Sequence, residues 1–371
     1  MKIAILTLPV YSNYGGIIQC YALQTVLERM GHEVQVLKKP KYRYSYYIIY
    51  PLAVCKRLFK RFVLGKKVAI FKAPHQIVRL HTNRFIHQYI HLYIKRRWTS
   101  KIASRFDAIV VGSDQIWRPA YSQPIEQAFL SFLEGCKIKR IAYAASFGMD
   151  DCQEYTSEQL QECSRLLKIF NAISVRETSG IKLCRDNFGV KAVQMIDPTL
   201  LLSINDYRTL IKKGKTHPSK GNMLVYILDR TDKKEILVNE IAKETGLTPF
   251  WLINEEENES LPLEKRIKQP VEQWLRSFDD AKFILTDSFH GCVFSILFHK
   301  TFIVWGNNQR GMTRFVSLLQ LFNLRSRLIN SLEGFLINKE ELLKPINYST
   351  INTELSIYQR QAISFLRNAL L

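Results

Sequence analysis

Lys282–Gly306 reads KFILTDSFHGCVFSILFHKTFIVWG. Phe283, Ile284 and Leu285 make a short buried strand, Thr286, Asp287 and Ser288 a polar turn, and an apolar helix follows His290 and Gly291. A second apolar strand runs from Thr301 to Trp305. Strand, turn, helix, strand in that order sets the turn at the carboxyl edge of a parallel sheet, where open α/β folds bind ligands. The first amide N–H groups of a helix have no partner within it, and the dipole adds positive potential there, so this end attracts anions. Ser288 and Gly291 are therefore candidate substrate-binding residues and His290 a candidate for chemistry. The competing reading makes Asp287 or Ser288 a simple N-cap and His290 only a polar residue at a strand exit.

Working outward, the same unit recurs. Residues 3–8 form an apolar strand, and Gly15 and Gly16 punctuate the turn before a helix whose period runs through Ile18, Tyr21, Ala22, Thr25, Val26 and Arg29. Gly31 ends that helix and Glu33–Leu37 alternates as a strand. The loop lacks the G-x-G-x-x-G spacing, so a dinucleotide fingerprint is not supported. Further strands at Asp107–Val111, Arg140–Ala145, Ala172–Val175 and Val193–Ile196 deliver Ser113 and Asp114, Ser146, Arg176 and Asp197 at their ends. A polar hinge is expected near 202–220, after which the alternation restarts with strands Met223–Leu228 and Pro249–Ile253. The expected architecture is α/β, with two Rossmann-like domains facing across a cleft. They span residues 1–202 and 203–345, and a C-terminal helix, 346–371, packs back on the first.

The chain of 371 residues carries a net charge of +20, and the excess is local. Residues 34–106 hold 18 Lys or Arg and no Asp or Glu, leaving 35 basic against 33 acidic residues elsewhere. A basic, aromatic-rich helical insertion at about 40–106 is expected, with helical periodicity continuing from Phe71 to Arg97. Anionic lipid headgroups and nucleic acid both fit such charge. Lipid is preferred, because no nucleic-acid-binding motif accompanies the basic run. Seven cysteines without a C-x-x-C pair argue against a disulfide framework or zinc site and fit a reducing compartment. The expected location is the cytoplasm, peripherally on the inner face of the membrane.

NYGGIIQCYAL (13–23), VVGSDQIW (110–117), YAASFG (143–148), SVRETSG (174–180), DPTLLL (197–202) and TDSFHGCVFSILFHKTFI (286–303) come in this order, before Arg310 and Arg314. In these motifs the chain resembles the polysaccharide pyruvyl transferase family over nearly its whole length. The resemblance implies a GT-B-like fold, phosphoenolpyruvate as donor, a saccharide hydroxyl pair as acceptor (free or lipid-linked), and pyruvate held as a ketal. It implies no metal or redox cofactor.

That chemistry needs fixed cations for a phosphate and a carboxylate. Arg176, expected to be an exposed strand-end residue, is the first candidate, with Arg310 and Arg314 next and Gly291 supplying backbone donors. Asn13, Gly15, Gly16, Ser113 and Gln115 complete the candidate substrate-binding set. His290 is the candidate acid or base, since imidazole titrates near neutrality. Asp114 either takes the acceptor proton or caps its loop. Two other readings stay open: a GT-B glycosyltransferase using a nucleotide sugar, and a non-catalytic glycan-binding protein held at the membrane.

Overall fold

Ile3 to Leu6, Ala108 to Val111 and Phe283 to Thr286 are all buried, so none of these strands has a solvent face. Such strands belong to parallel sheets covered by helices on both sides, and the chain builds two. The structure is a computed structural model that describes residues 1–38, 51, 54–59, 61–64, 75–94, 98–252, 261–307 and 311–371.

The first sheet holds β1 (Lys2–Leu6), β2 (Glu33–Lys38), β3 (Leu92–Ile94), β4 (Ala108–Val111), β5 (Lys139–Ala145), β6 (Ala172–Val175) and β7 (Val193–Gln194). Their spatial order is β3-β2-β1-β4-β5-β6-β7, every pair parallel. The second holds β8 (Met223–Tyr226), β9 (Pro249–Trp251), β10 (Phe283–Thr286), β11 (Thr301–Trp305) and β12 (Leu328–Ile329), in the order β12-β11-β10-β8-β9. All of its pairs are parallel too. The strand order reverses between β1 and β4 in one sheet and between β8 and β10 in the other. Those are the two switch points, and ligands bind outside the strand ends there.

The longer helices are α1 (Tyr14–Arg29), α2 (Leu80–Tyr89), α3 (Ser157–Leu167), α4 (Thr178–Asp186), α5 (Ile204–Lys213), α6 (Asp232–Thr245), α7 (Val271–Asp280), α8 (Phe289–Leu297), α9 (Met312–Leu321) and α10 (Tyr348–Leu370). One apolar cluster runs through both halves, joining Ile17 and Leu23 of α1 to Trp274 and Phe278 of α7 and Phe294 of α8. Tyr14 stacks on Trp274 at 5.6 Å and donates its hydroxyl to the Gln269 carbonyl (2.8 Å). Helix α10 spans the two halves. At its start Tyr348 donates to the Lys300 carbonyl (2.6 Å), and at its end Lys139 Nζ donates to the Leu370 carbonyl (2.9 Å).

The structure departs from the sequence reading at three places. Of the segment 40–106, most of 40–74 lies outside the described residues, and 80–94 belong to the first domain. Helix α2 buries Thr82, Phe85 and Ile86, and Leu92–Ile94, read from periodicity as helix, pairs in parallel with β2. Once Val36–Lys38 needs a partner on its free edge, ladder hydrogen bonds override the local period. Within 202–220 the polar loop starts only after Lys213. Ser203 and Asp206 form a capping box that starts α5, and Tyr207, Leu210 and Ile211 are buried. Finally, the edge strand β12 has no counterpart in the sequence reading, since two residues carry no period.

Candidate functional site

A cleft of about 600 Å³ opens where the two switch points face each other. Its lining comes from four strand exits: Leu8–Gly16 after β1, Asp114 and Gln115 after β4, Tyr226 and Leu228 after β8, and Asp287–His290 after β10. Tyr121, Lys268 and Arg314 complete it. Each wall is thus made by residues at or just beyond the ends of buried strands.

His290 sits in the first turn of α8. Ser288 caps that helix by accepting from the Gly291 amide (3.3 Å), and the Thr286 hydroxyl holds the turn by accepting from the Ser288 amide (3.1 Å). Asp287 is also structural. It accepts from the amides of Leu228 (2.6 Å) and Asp229 (3.1 Å) and pairs with the buried Lys234 ammonium (2.7 Å). The N-terminus of α1 comes in from the other domain, so close that a Cβ on Gly15 would lie 2.1 Å from His290 Nδ1. Gly15 is a contact surface for the imidazole. His290 Nε2 lies 3.8 Å from Asp197 Oδ2 and makes no hydrogen bond with any described residue.

Around the imidazole lies a buried ionic cluster. Arg176 donates to Asp197 (2.7 Å) and to Asp114 (3.2 Å), and Arg314 Nη1 stands 3.9 Å from Asp114. Both guanidinium groups lie over the Phe289 ring, at 4.3 and 5.3 Å from its centroid. Burial opposes ionisation of Asp114, but Arg176, His290 and Arg314 outweigh it and hold the carboxyl below its ordinary range. Burial likewise opposes the Arg176 charge, and Asp197, Asp114 and Glu177 outweigh that. Arg314 is different. Burial and the neighbouring Arg176 pull it down to about 10, so it stays cationic at neutral pH but is the less compensated of the two. Burial lowers the His290 pKa despite Asp197 and Asp114, which leaves the imidazole neutral near pH 7.

The sequence candidates separate under this geometry. His290, Asp114, Gln115, Ser288, Arg314, Asn13 and Gly16 line the cleft, and Gly15 packs under His290. Arg176, expected to be exposed, is 4% exposed and holds two carboxylates. Ser113 is wholly buried and donates its hydroxyl to the Ala144 carbonyl (2.7 Å), away from the cleft. The Gly291 amide is taken by its own cap, and glycine is needed there because a Cβ would meet Thr286 Oγ1 at 2.2 Å. Arg310 lies outside the described residues.

Lys268, which the sequence reading does not single out, is 7% exposed, lines the cleft and lies 4.8 Å from the Tyr14 ring centroid. It precedes α7 in a stretch with no motif, and only the meeting of the domains brings it to the cleft. Asp197 reads from sequence as a strand-end residue without a role; its partner Arg176 is 21 positions away. Among the described residues no group of three or more His, Cys, Asp or Glu side chains comes together to hold a metal ion.

Two facing Rossmann-like domains with a cleft between their switch points define a GT-B-like fold. Solved structures with this arrangement align along the whole chain. A UDP-GlcNAc 2-epimerase from Neisseria meningitidis bound to UDP-GlcNAc covers 100% of this chain and 99% of its own at 11% identity, with a TM-score of 0.52. A ugt transferase from Siraitia grosvenorii in complex with UDP covers 100% of both chains at 8% identity, with a TM-score of 0.51. At such identities the likeness is one of fold alone. Comparison with curated proteins gives no match. The family described as polysaccharide pyruvyl transferase matches residues 13–309, beginning at the cap of α1, and the chain belongs to that family.

Proposed function

We propose that the protein transfers the pyruvyl group of phosphoenolpyruvate onto two hydroxyls of a saccharide, forming a pyruvate ketal in cell-surface polysaccharide biosynthesis. The observation that carries this reading is a buried histidine in a cleft that also presents Arg314 and Lys268. Two cations suit a donor that brings a phosphate and a carboxylate, and charge-assisted contacts orient both groups. His290 passes the proton of the first acceptor hydroxyl to C3 of the donor, which makes C2 electrophilic, and the hydroxyl oxygen adds there. Phosphate then leaves C2. The second hydroxyl closes the ketal and its proton departs with the phosphate. One hydroxyl proton ends on C3 and the other on phosphate, so atoms and charge balance.

Asp114 and Asp197 carry no proton in this scheme. They hold Arg176, which in turn supports the Phe289 ring at the base of the site. The test is phosphate release from phosphoenolpyruvate across a panel of saccharide diols. The reading expects release that depends on the acceptor, and a product heavier than the acceptor by about 70 Da, the mass of pyruvic acid less one water. Consumption of a nucleotide sugar by the same panel, with no use of phosphoenolpyruvate, would replace it with glycosyl transfer.

A further inference from the structure

Two tyrosines that line the cleft have no part in the donor chemistry. Tyr11 follows β1 and Tyr121 follows β4, so the neighbouring strands of the first switch point present both. Tyr121 is 43% exposed although it lines a polar cleft. Its position is set by a network beneath it. The Arg118 guanidinium lies 4.9 Å from its ring centroid and is tied to Glu154 through Nε (2.9 Å) and Nη2 (2.7 Å). Glu154 also accepts from the Ala120 amide (3.1 Å), which pins the turn carrying Tyr121. Tyr11 is half-buried and has the Arg79 guanidinium 5.4 Å from its ring centroid.

Each ring has an arginine over it, and Tyr121 is still exposed to water. Such a ring has lost part of its freedom before anything binds, so covering it costs little further ordering. We propose that Tyr11 and Tyr121 are the saccharide-binding residues of the acceptor subsite, taking the C–H face of a neutral pyranose ring. An aromatic ring with a hydroxyl suits such a ligand, because its face is apolar and its tip polar, as a sugar ring has an apolar face and a polar rim. Asn13 and Gln115, in the same wall, supply polar groups for the ring hydroxyls. Arg314 lines the same cleft, which places the sugar in reach of the proposed donor cation. The identity of the acceptor rests on the pyruvyl-transfer reading; the binding itself is read without it.

The experiment is saturation-transfer NMR on the whole protein with a panel of methyl pyranosides, with and without phosphoenolpyruvate. Ring C–H protons of at least one glycoside should receive saturation. Affinity should fall roughly tenfold in Tyr121→Ala and in Tyr11→Ala, and be kept in Tyr121→Phe. Unchanged melting temperatures establish that the variants are folded. Undiminished glycoside affinity in both alanine variants overturns the proposal, as does the absence of glycoside binding to the wild type. Displacement of the glycoside by uridine with saturation moving to the base also overturns it, since the rings would then serve a nucleobase. Glycoside binding that depends on the tyrosines while phosphoenolpyruvate is never consumed supports this subsite and removes the donor assignment.

Discussion

His290 and Arg176 both stand at strand ends, and the environment of each decides what it does. His290 is 6% exposed and faces Asp197 at 3.8 Å, yet burial keeps it neutral. A neutral imidazole is the base form, so kcat/KM should hold as pH falls to about 6.5 and drop only below it, as the depressed pKa is crossed. His290→Gln should lower turnover by roughly 10²–10⁴-fold with donor affinity little changed. Turnover and melting temperature measured together check this; a collapse of stability with normal turnover in the folded fraction would make the residue structural.

Arg176→Ala should behave in the opposite way. Removing one partner of a buried charged cluster strands Asp114 and Asp197, at about 3–5 kcal/mol of stability. Arg314→Ala should instead weaken phosphoenolpyruvate binding by about 1.5–3 kcal/mol, the usual loss for a hydrogen bond to a charged group. Calorimetry with the donor and thermal unfolding of both variants separate the two roles. Equal donor affinity in wild type and Arg314→Ala would remove it as a donor anchor.

At the scale of elements, the site is a meeting of two helix N-termini. Helix α8 brings His290 and helix α1 brings Gly15, and no side chain fits between them. Gly15→Ala should displace the imidazole, and a displacement of about 1 Å can cost about 10²-fold in rate. Alanine favours the helix by up to about 1 kcal/mol, which offsets part of the overpacking. Turnover should therefore fall much further than the melting temperature implies. Gly16→Ala, whose Cβ would meet Asn13 at 3.7 Å and Asp114 at 3.8 Å, should lose far less. Steady-state kinetics on the pair check this, and equal losses would refute a direct push on His290.

Across the whole molecule, the excess charge is confined to one region. Residues 54–59 and 61–62 are helical, and Phe59, Phe62, Val63 and Leu64 are exposed beside Lys56, Arg57 and Arg61; Lys60 lies outside the described residues. Exposed apolar and basic side chains together suit the surface of an anionic bilayer. Among the described residues no helix is long and apolar enough to cross a membrane. Vesicle co-sedimentation should therefore require acidic headgroups and fade as salt rises. Changing Lys56, Arg57, Lys60 and Arg61 to Gln should reduce vesicle binding and spare activity on a soluble acceptor. Equal binding to neutral vesicles would rule out this electrostatic docking.

All strands but β3 and β12, their polar exits and the helix after His290 follow from the sequence, because buried strands and capped helices are written in local periods and single residues. Ser288 caps α8 and Asn13 caps α1 within three residues of chain. Tertiary structure decided which polar residues meet. Arg176 looks the same in sequence whether it is free or held, and Asp197, 21 residues on, is what holds it. Lys268 has no motif and reaches the cleft only because the second domain packs on α1. Pairing of charges depends on distances between elements far apart in the chain, and local sequence carries no measure of those distances.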